Sequence, residues 1–199
     1  YVTISGGGFG NTKGVSKVYF TATSDKEASF DFPQICADSI WSDKQVIIKV
    51  PAGLADGQYK ITMKIGAWPA IDTASIQPAT GFKVDSDLPL KPSLCKINPI
   101  MGKANSQINL YGEYFGQKDN NSKVRFQSNK DQTIFDYWKQ DNDPKITGVK
   151  SDKIITKVPA EAATGPVRAV KNSPELVGNG LNFTVGVCKA AADCGSGSL

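Results

Sequence analysis

An internal repeat constrains this chain more than any other feature of its sequence. Ser5-Gly6-Gly7-Gly8-Phe9-Gly10 is answered roughly one hundred residues later by Tyr111-Gly112-Glu113-Tyr114-Phe115-Gly116. Ser16-Lys17-Val18-Tyr19-Phe20 is answered by Ser122-Lys123-Val124-Arg125-Phe126, with no gap between the two matches. Farther on, Ser42-Asp43-Lys44 leading to Lys49-Val50-Pro51-Ala52 and Gly57 returns as Ser151-Asp152-Lys153 leading to Lys157-Val158-Pro159-Ala160 and Gly165. The chain therefore reads as two copies of one domain. A tandem of equivalent small domains builds reach or presents surface, whereas a single catalytic site needs groups that differ.

With 199 residues in all, each copy has chain enough for one modest core. The 23 basic and 19 acidic residues are scattered singly and leave a formal net charge of +4, a balance that favours solubility and predicts no nucleic-acid partner. Histidine is absent. Imidazole zinc sites, histidine bases and Ser-His-Asp triads are thereby excluded, and the expectation is a non-enzyme without cofactor or metal. No stretch approaches the roughly 20 apolar residues needed to span a bilayer, so no membrane insertion is expected within this segment, and no signal peptide stands at its start.

Period-two alternation is the dominant local pattern. Tyr59, Ile61, Met63 and Ile65 interleave with Lys60, Thr62 and Lys64, and Val46, Ile48 and Val50 with Ile47 and Lys49. Short runs of this kind are half-buried strands. Turn signals separate them at Gly6-Gly7-Gly8, Gly10-Asn11, Ala55-Asp56-Gly57, Asp119-Asn120-Asn121 and Asn179-Gly180. Many short strands with frequent turns predict an all-β chain of two antiparallel sandwiches. The polar, twice proline-interrupted stretch from Asp85 to Pro92 reads as a short stiff linker. The copies are accordingly placed at 1–87 and 88–187, with 188–199 a flexible cysteine-containing tail. Tyr1-Val2-Thr3-Ile4 matches Gln107-Ile108-Asn109-Leu110, so the first copy lacks its opening strand, the counterpart of Leu90 to Ser106. Either the sequence is a fragment of a longer protein or another chain supplies that strand. The tail is a poor donor, because Lys189 to Leu199 has no alternating large apolar residues, and truncation is the favoured explanation.

The frame Pro92, Ile97, Pro99, Gly102, Ile108, Leu110, Gly112, Phe115-Gly116, Val124, Phe126, Val158-Pro159, Gly165, Val167 and Leu181 to Val185 resembles the IPT/TIG domain, an immunoglobulin-like (E-set type) sandwich. The first copy resembles it through Gly6, Phe9-Gly10, Val18, Phe20, Trp41-Ser42-Asp43, Val50-Pro51, Gly57, Tyr59 and Phe82. The physical roles agree with the resemblance: glycines in Gly-x-x-Phe-Gly permit a tight turn with positive φ beside an aromatic that plugs the core, and Val-Pro ends a strand where no ladder donor is required. The resemblance implies a piece of a large bacterial surface protein.

Cys36, Cys95, Cys188 and Cys194 occupy positions that the repeat does not share. An even count in a sandwich-rich chain points to an oxidising, secreted or cell-surface compartment. Four cysteines allow three connectivities, of which Cys188 with Cys194 and Cys36 with Cys95 is preferred. The dispersed cysteines do not suit a metal site.

Two aromatics are candidate ligand contacts. Trp138, in Phe135-Asp136-Tyr137-Trp138, belongs to a possible sugar platform, although Phe30-Asp31-Phe32 in the corresponding place of the first copy favours a structural strand with aromatics facing inward. Trp68, in Gly66-Ala67-Trp68-Pro69, begins a long connection, where a loop tryptophan either makes contacts or packs over the sandwich end. Asp119 to Asn121 and Asp141 to Asp143 lack the spacing of a calcium loop. Asn120-Asn121-Ser122 and Asn182-Phe183-Thr184 are formal glycosylation acceptors, the second expected within a strand. Gly6 to Gly10 has neither the Lys-Ser/Thr pair nor the helix of a phosphate loop.

These observations lead to one expectation and one alternative. The expectation is a non-catalytic extracellular structural or adhesive tandem, a stalk or filament-forming part of a surface protein, whose partners are proteins such as copies of itself or a neighbouring domain. The alternative is a carbohydrate-binding accessory region of a secreted polysaccharide-active enzyme, with a surface glycan as ligand. A Rel-like DNA-binding domain is disfavoured by the lack of a basic recognition loop.

Overall fold

The computed structural model describes residues 1–66, 72–76, 81–116, 123–128, 134–137, 139–140, 152–172 and 175–186. The protein is all-β, in antiparallel sheets, and divides into two compact units. The first comprises Tyr1–Asp31 and Ser39–Pro89, the second Phe32–Asp38 and Leu90–Leu199.

In the first unit the strands are β1 (Val2–Ser5), β2 (Lys17–Thr21), β3 (Asp25–Glu27), β4 (Gln45–Ile48), β5 (Gly57–Ile65), β6 (Asp72–Ile76) and β7 (Phe82–Val84). β1 and β4 form one small sheet. β3, β2, β5 and β6 form the other in that order, with β7 also paired to β5. Alternation decides the faces, as expected: along β5, Tyr59, Ile61 and Met63 are buried while Lys60 is exposed. Ile4, Val46 and Ile48 from the small sheet meet Val18, Phe20, Ile61 and Met63 from the larger one in a single apolar cluster. Each of these side chains contributes roughly 1.5–3 kcal/mol by leaving water. Ile47, apolar at an outward position of β4, is also fully buried but lies outside that cluster.

The second unit contains β8 (Ser93–Asn98), β9 (Met101–Gly102), β10 (Gln107–Glu113), β11 (Lys123–Phe126), β12 (Ile134–Tyr137), β13 (Lys139–Gln140), β14 (Asp152–Lys157), β15 (Gly165–Asn172), β16 (Glu175–Val177) and β17 (Leu181–Val185). One sheet runs β13-β14-β10-β8. The other runs β12-β11-β15-β17-β9, with β16 also on β15. Among the described pairings, β17 with β9 is parallel. β8 packs across onto β15 and β17. Leu94, Ile97, Leu110, Ile154, Phe126 and Phe183 are all buried.

The repeat is visible in the register. Val2 lies opposite Ile48 and Ile4 opposite Val46, as Ile108 lies opposite Thr156 and Leu110 opposite Ile154. The pairing corrects one match made from sequence. With Phe82 equivalent to Phe183, Tyr59 faces Phe82 where Gly165 faces Phe183. On the opposite side of the same strands, Val18 faces Met63 where Val124 faces Ala169. Both neighbours therefore place Tyr59, not Gly57, at the position of Gly165. The offset of two residues preserves which side chains face inward, because strand side chains alternate with period two.

Candidate functional site

Three local constructions distinguish this chain from a bare sandwich pair. The first is the segment Phe32–Asp38, which is flanked by residues of the first unit yet belongs to the second. From Pro33 at its cap it makes a single 3-10 turn over Gln34–Cys36, closed by donation from the Cys36 N–H to the Pro33 carbonyl at 2.8 Å. The turn delivers Cys36 to Cys95 on β8, and the two form a disulfide with Cα atoms 5.6 Å apart. Both cysteines are fully buried. Two residues farther on, Asp38 accepts from Lys96 Nζ through both carboxylate oxygens at 2.8 Å. Asp38 keeps 72% of its side chain exposed, so this ion pair adds little beside the covalent bond.

The second construction finishes the edge of β8. Asn179 Oδ1 accepts the Leu94 N–H at 2.7 Å, and Asn179 Nδ2 donates to the Leu94 carbonyl at 2.8 Å. A side-chain amide thus supplies at one point the donor and acceptor that another strand would supply. On its inner side β8 approaches Gly112 so closely that a Cβ there would overlap the Ser93 carbonyl oxygen. The register shifts between Tyr111 and Gly112, so Leu94 opposes Gly112 while Ile97 opposes Leu110. Cys95 is the residue left over at that bulge.

The third is the glycine-rich loop of the first unit. Gly10 takes positive φ, +75°, as the Gly-x-x-Phe-Gly pattern predicts, whereas the pattern's first glycine, Gly6, does not; the other positive φ of the corner falls on Gly8, +78°, whose counterpart Tyr114 adopts +64°. Three of its donors are used within the fold: Gly6 N–H to the Lys44 carbonyl at 3.0 Å, Phe9 N–H to the Asp43 carbonyl at 3.3 Å, and Gly10 N–H to Asp43 Oδ1 at 3.2 Å. Trp41 Nε1 donates to the Phe9 carbonyl at 3.0 Å. The neighbouring Lys44 ammonium, followed by the Gly10 N–H, holds the Asp43 carboxyl below its ordinary range. This loop is an architectural corner. The N–H groups of Gly6, Phe9 and Gly10, which a phosphate loop would aim at an anion, bind Asp43 and Lys44 instead.

Of the residues singled out from sequence, Cys36 and Cys95 are brought together. Cys188, Cys194, Trp68 and Trp138 lie outside the described residues, as do the acidic turns at 119–121 and 141–143. Phe135 to Tyr137 lie on β12. Phe30 is half-buried and packs beside Trp41, with ring centroids 6.0 Å apart. Asn182 lies within β17, exposed between buried Leu181 and Phe183. Sequence reasoning missed the Asn179 clamp, since Asn179-Gly180 carries only a turn signal, and it missed the Asp38–Lys96 pair. Neither has a spacing rule, because each joins residues far apart in the chain.

Among the described residues there is no group of three or more His, Cys, Asp or Glu placed to hold a metal ion, and no helix long and apolar enough to cross a membrane. Compared with family models, with curated proteins and with solved structures, the chain matches none.

Proposed function

We propose that this chain is a non-catalytic structural or adhesive tandem of two IPT/TIG-like, immunoglobulin-like modules, working outside the cell as a stalk or filament-forming part of a bacterial surface protein. The observation that carries the reading is the duplicated strand register, Val2 opposite Ile48 and Ile108 opposite Thr156. Two copies of one scaffold that also share their corner glycines and core aromatics serve extension and presentation better than a reaction needing unlike groups. The Cys36–Cys95 disulfide supports an oxidising compartment. It closes a loop with a sequence separation of 59, which favours a protein that must keep its shape where chaperones do not attend it.

The experiment is intact mass spectrometry with and without reductant, together with electron microscopy of unheated native material. The expected result is a gain of one hydrogen pair per bridge on reduction, with chains joined into regular filaments or projecting stalks. Monomers with free Cys36 and Cys95 thiols would sink the reading. Retention on a glycan, lost on Trp68→Ala or Trp138→Ala with the fold intact, would replace it with a carbohydrate-binding accessory region.

A further inference from the structure

We propose that the Cys36–Cys95 bridge is a load bypass: tension drawn along the chain crosses from residue 36 to residue 95 through the two sulfurs, and residues 37–94 cannot be pulled out by it. The route of the chain makes this so. It passes through the first unit, crosses into the second over Phe32–Asp38, returns for Ser39–Pro89 and enters the second again at Leu90. The bridge joins the two crossings, Cys36 in the 3-10 turn and Cys95 on β8. A covalent bond does not lengthen under loads that unfold a sandwich, so the chain between the two cysteines becomes a side loop. Their sequence separation is 59, and an extended chain spans at most about 3.3–3.6 Å per residue, so the bridge withholds about 200 Å of length.

The bypass also decides which pairings of the first unit a pull can separate. Residues 1–36 remain in the path and carry β1, β2 and β3, whereas β4, β5, β6 and β7 lie inside the loop. β1 pairs with β4 and β2 with β5, so extension of the first unit proceeds by drawing β1 and β2 off strands that stay behind. The pairings of β5 with β6 and with β7 join strands that both lie inside the loop, and the pull does not part them. Val46, Ile48, Tyr59, Ile61 and Met63 of the core stay with those strands. Without the bridge the backbone would be drawn out through β4 to β7 as well, and the whole first unit would be spent.

Burial sets the order in which the withheld length is released. A thiolate opens a disulfide by attacking one of its sulfurs, which it must reach. Both cysteines are fully buried, and Cys95 Sγ lies 3.3 Å from the Tyr111 carbonyl oxygen on β10. The bridge is thus closed to a dissolved dithiol while β8 remains on β10, and open to it once the second unit has been pulled apart. The exchange then leaves thiols at Cys36 and Cys95 and converts the dithiol to its own disulfide. The second unit therefore guards the length held in the first. This inference limits how far the tandem proposed above extends, but it rests on connectivity and burial alone, so either can fail without the other.

The experiment is single-molecule stretching of the 199-residue chain between handles at its two ends, oxidised, with dithiothreitol, and as the double variant Cys36→Ser and Cys95→Ser. At full extension the oxidised chain should stop about 200 Å short of the variant. Full extension does not depend on how well the variant folds, so the comparison survives a poorly folded one. With dithiothreitol present and the chain held at low load, that lengthening should be absent until the second unit has extended. The second unit is recognised by its loaded residues 96–199, which give the longer step, and the lengthening should follow it in the same trace. Equal full extension of the oxidised chain and the variant would overturn the bypass. Lengthening by dithiothreitol while the second unit stays folded would overturn its guarding role. Isolated chains in the microscope together with the expected traces would refute the filament and leave the bypass standing.

Discussion

The two units use the same strands in the same register and finish them differently. In the second, β8 covers β10, its outer edge is closed at Leu94 by Asn179, and the disulfide fastens segment 32–38 to it. In the first, the small sheet of β1 and β4 holds the equivalent place, and the side chains beside β1 and β7 keep part of their surface in water. The difference teaches that equivalent core side chains reach full burial where a further strand is laid beside them. The corner glycines and buried aromatics recur in both copies, and the burial they achieve still depends on the strand laid beside them.

The largest contrast should come from the paired phenylalanines. Phe183→Ala removes a side chain with 1% exposure and should destabilise the second unit by about 3–5 kcal/mol, whereas Phe82→Ala, at the half-buried equivalent, should cost clearly less. Hydrogen exchange followed segment by segment reads each unit separately, which a single denaturation midpoint does not. Equal losses in the two units would break the comparison.

Next in size is the bridge. Replacing both Cys36 and Cys95 by serine should lower the stability of the second unit by roughly 2–4 kcal/mol, from the closed-loop entropy of the unfolded chain. Amide exchange should quicken along β8 and across 32–38 and stay unchanged along β2 and β5. A global effect on both units would show that the bridge does more than fasten this segment.

The glycine pair sharpens the comparison further. Gly112→Ala must displace the Ser93 backbone and should cost about 1–3 kcal/mol, with β8 loosened in exchange. Gly6→Ala meets the tip of the Phe9 ring at 2.6 Å, a neighbour able to turn aside, and should cost less. Urea titrations of the two variants, followed by exchange in the matching unit, decide the order.

The smallest effect is electrostatic. The depressed Asp43 carboxyl contributes stability above the ordinary carboxylate value of 3.8 and loses it as pH falls through the lower folded value. Asp43→Asn should therefore weaken the Gly6–Gly10 corner slightly at neutral pH and match the parent in acid. Lys17, raised by its hydrogen bond and charge pairing with Glu27 at 2.8 Å, behaves oppositely: its contribution is complete below 10.5 and disappears as pH rises through the folded value. Both groups are exposed, so added salt should shrink both effects.

Much of the fold was legible in the sequence because it rests on local rules. Alternation along Tyr59–Ile65 marks a strand with one wet face, and Gly10 and Gly116 stand where the corner needs positive φ. The equivalence of β5 and β15 was legible only up to an even slip. Gly57 and Gly165 look alike as residues, but the pairing partners on both sides set Tyr59 against Gly165, and period two cannot distinguish those alignments. Of the candidate site, the Cys36–Cys95 pair was reachable from cysteine parity and the repeat, while Asn179 was not, since an amide serving a distant strand edge looks in sequence like any turn asparagine.

The sequence by itself determined an all-β chain, its duplication, the faces of its strands and the glycine corners, because period two, turn chemistry and repetition act over a few residues or are directly readable. Only the tertiary structure decided that segment 32–38 joins the second unit, that β8 is clamped by Asn179, and that Val2, Val50 and Phe82 stay half-buried where their counterparts are sealed. Those outcomes depend on which distant backbone comes alongside, and loop closure over tens of residues costs nearly the same free energy for many competing partners, so local pattern cannot choose among them.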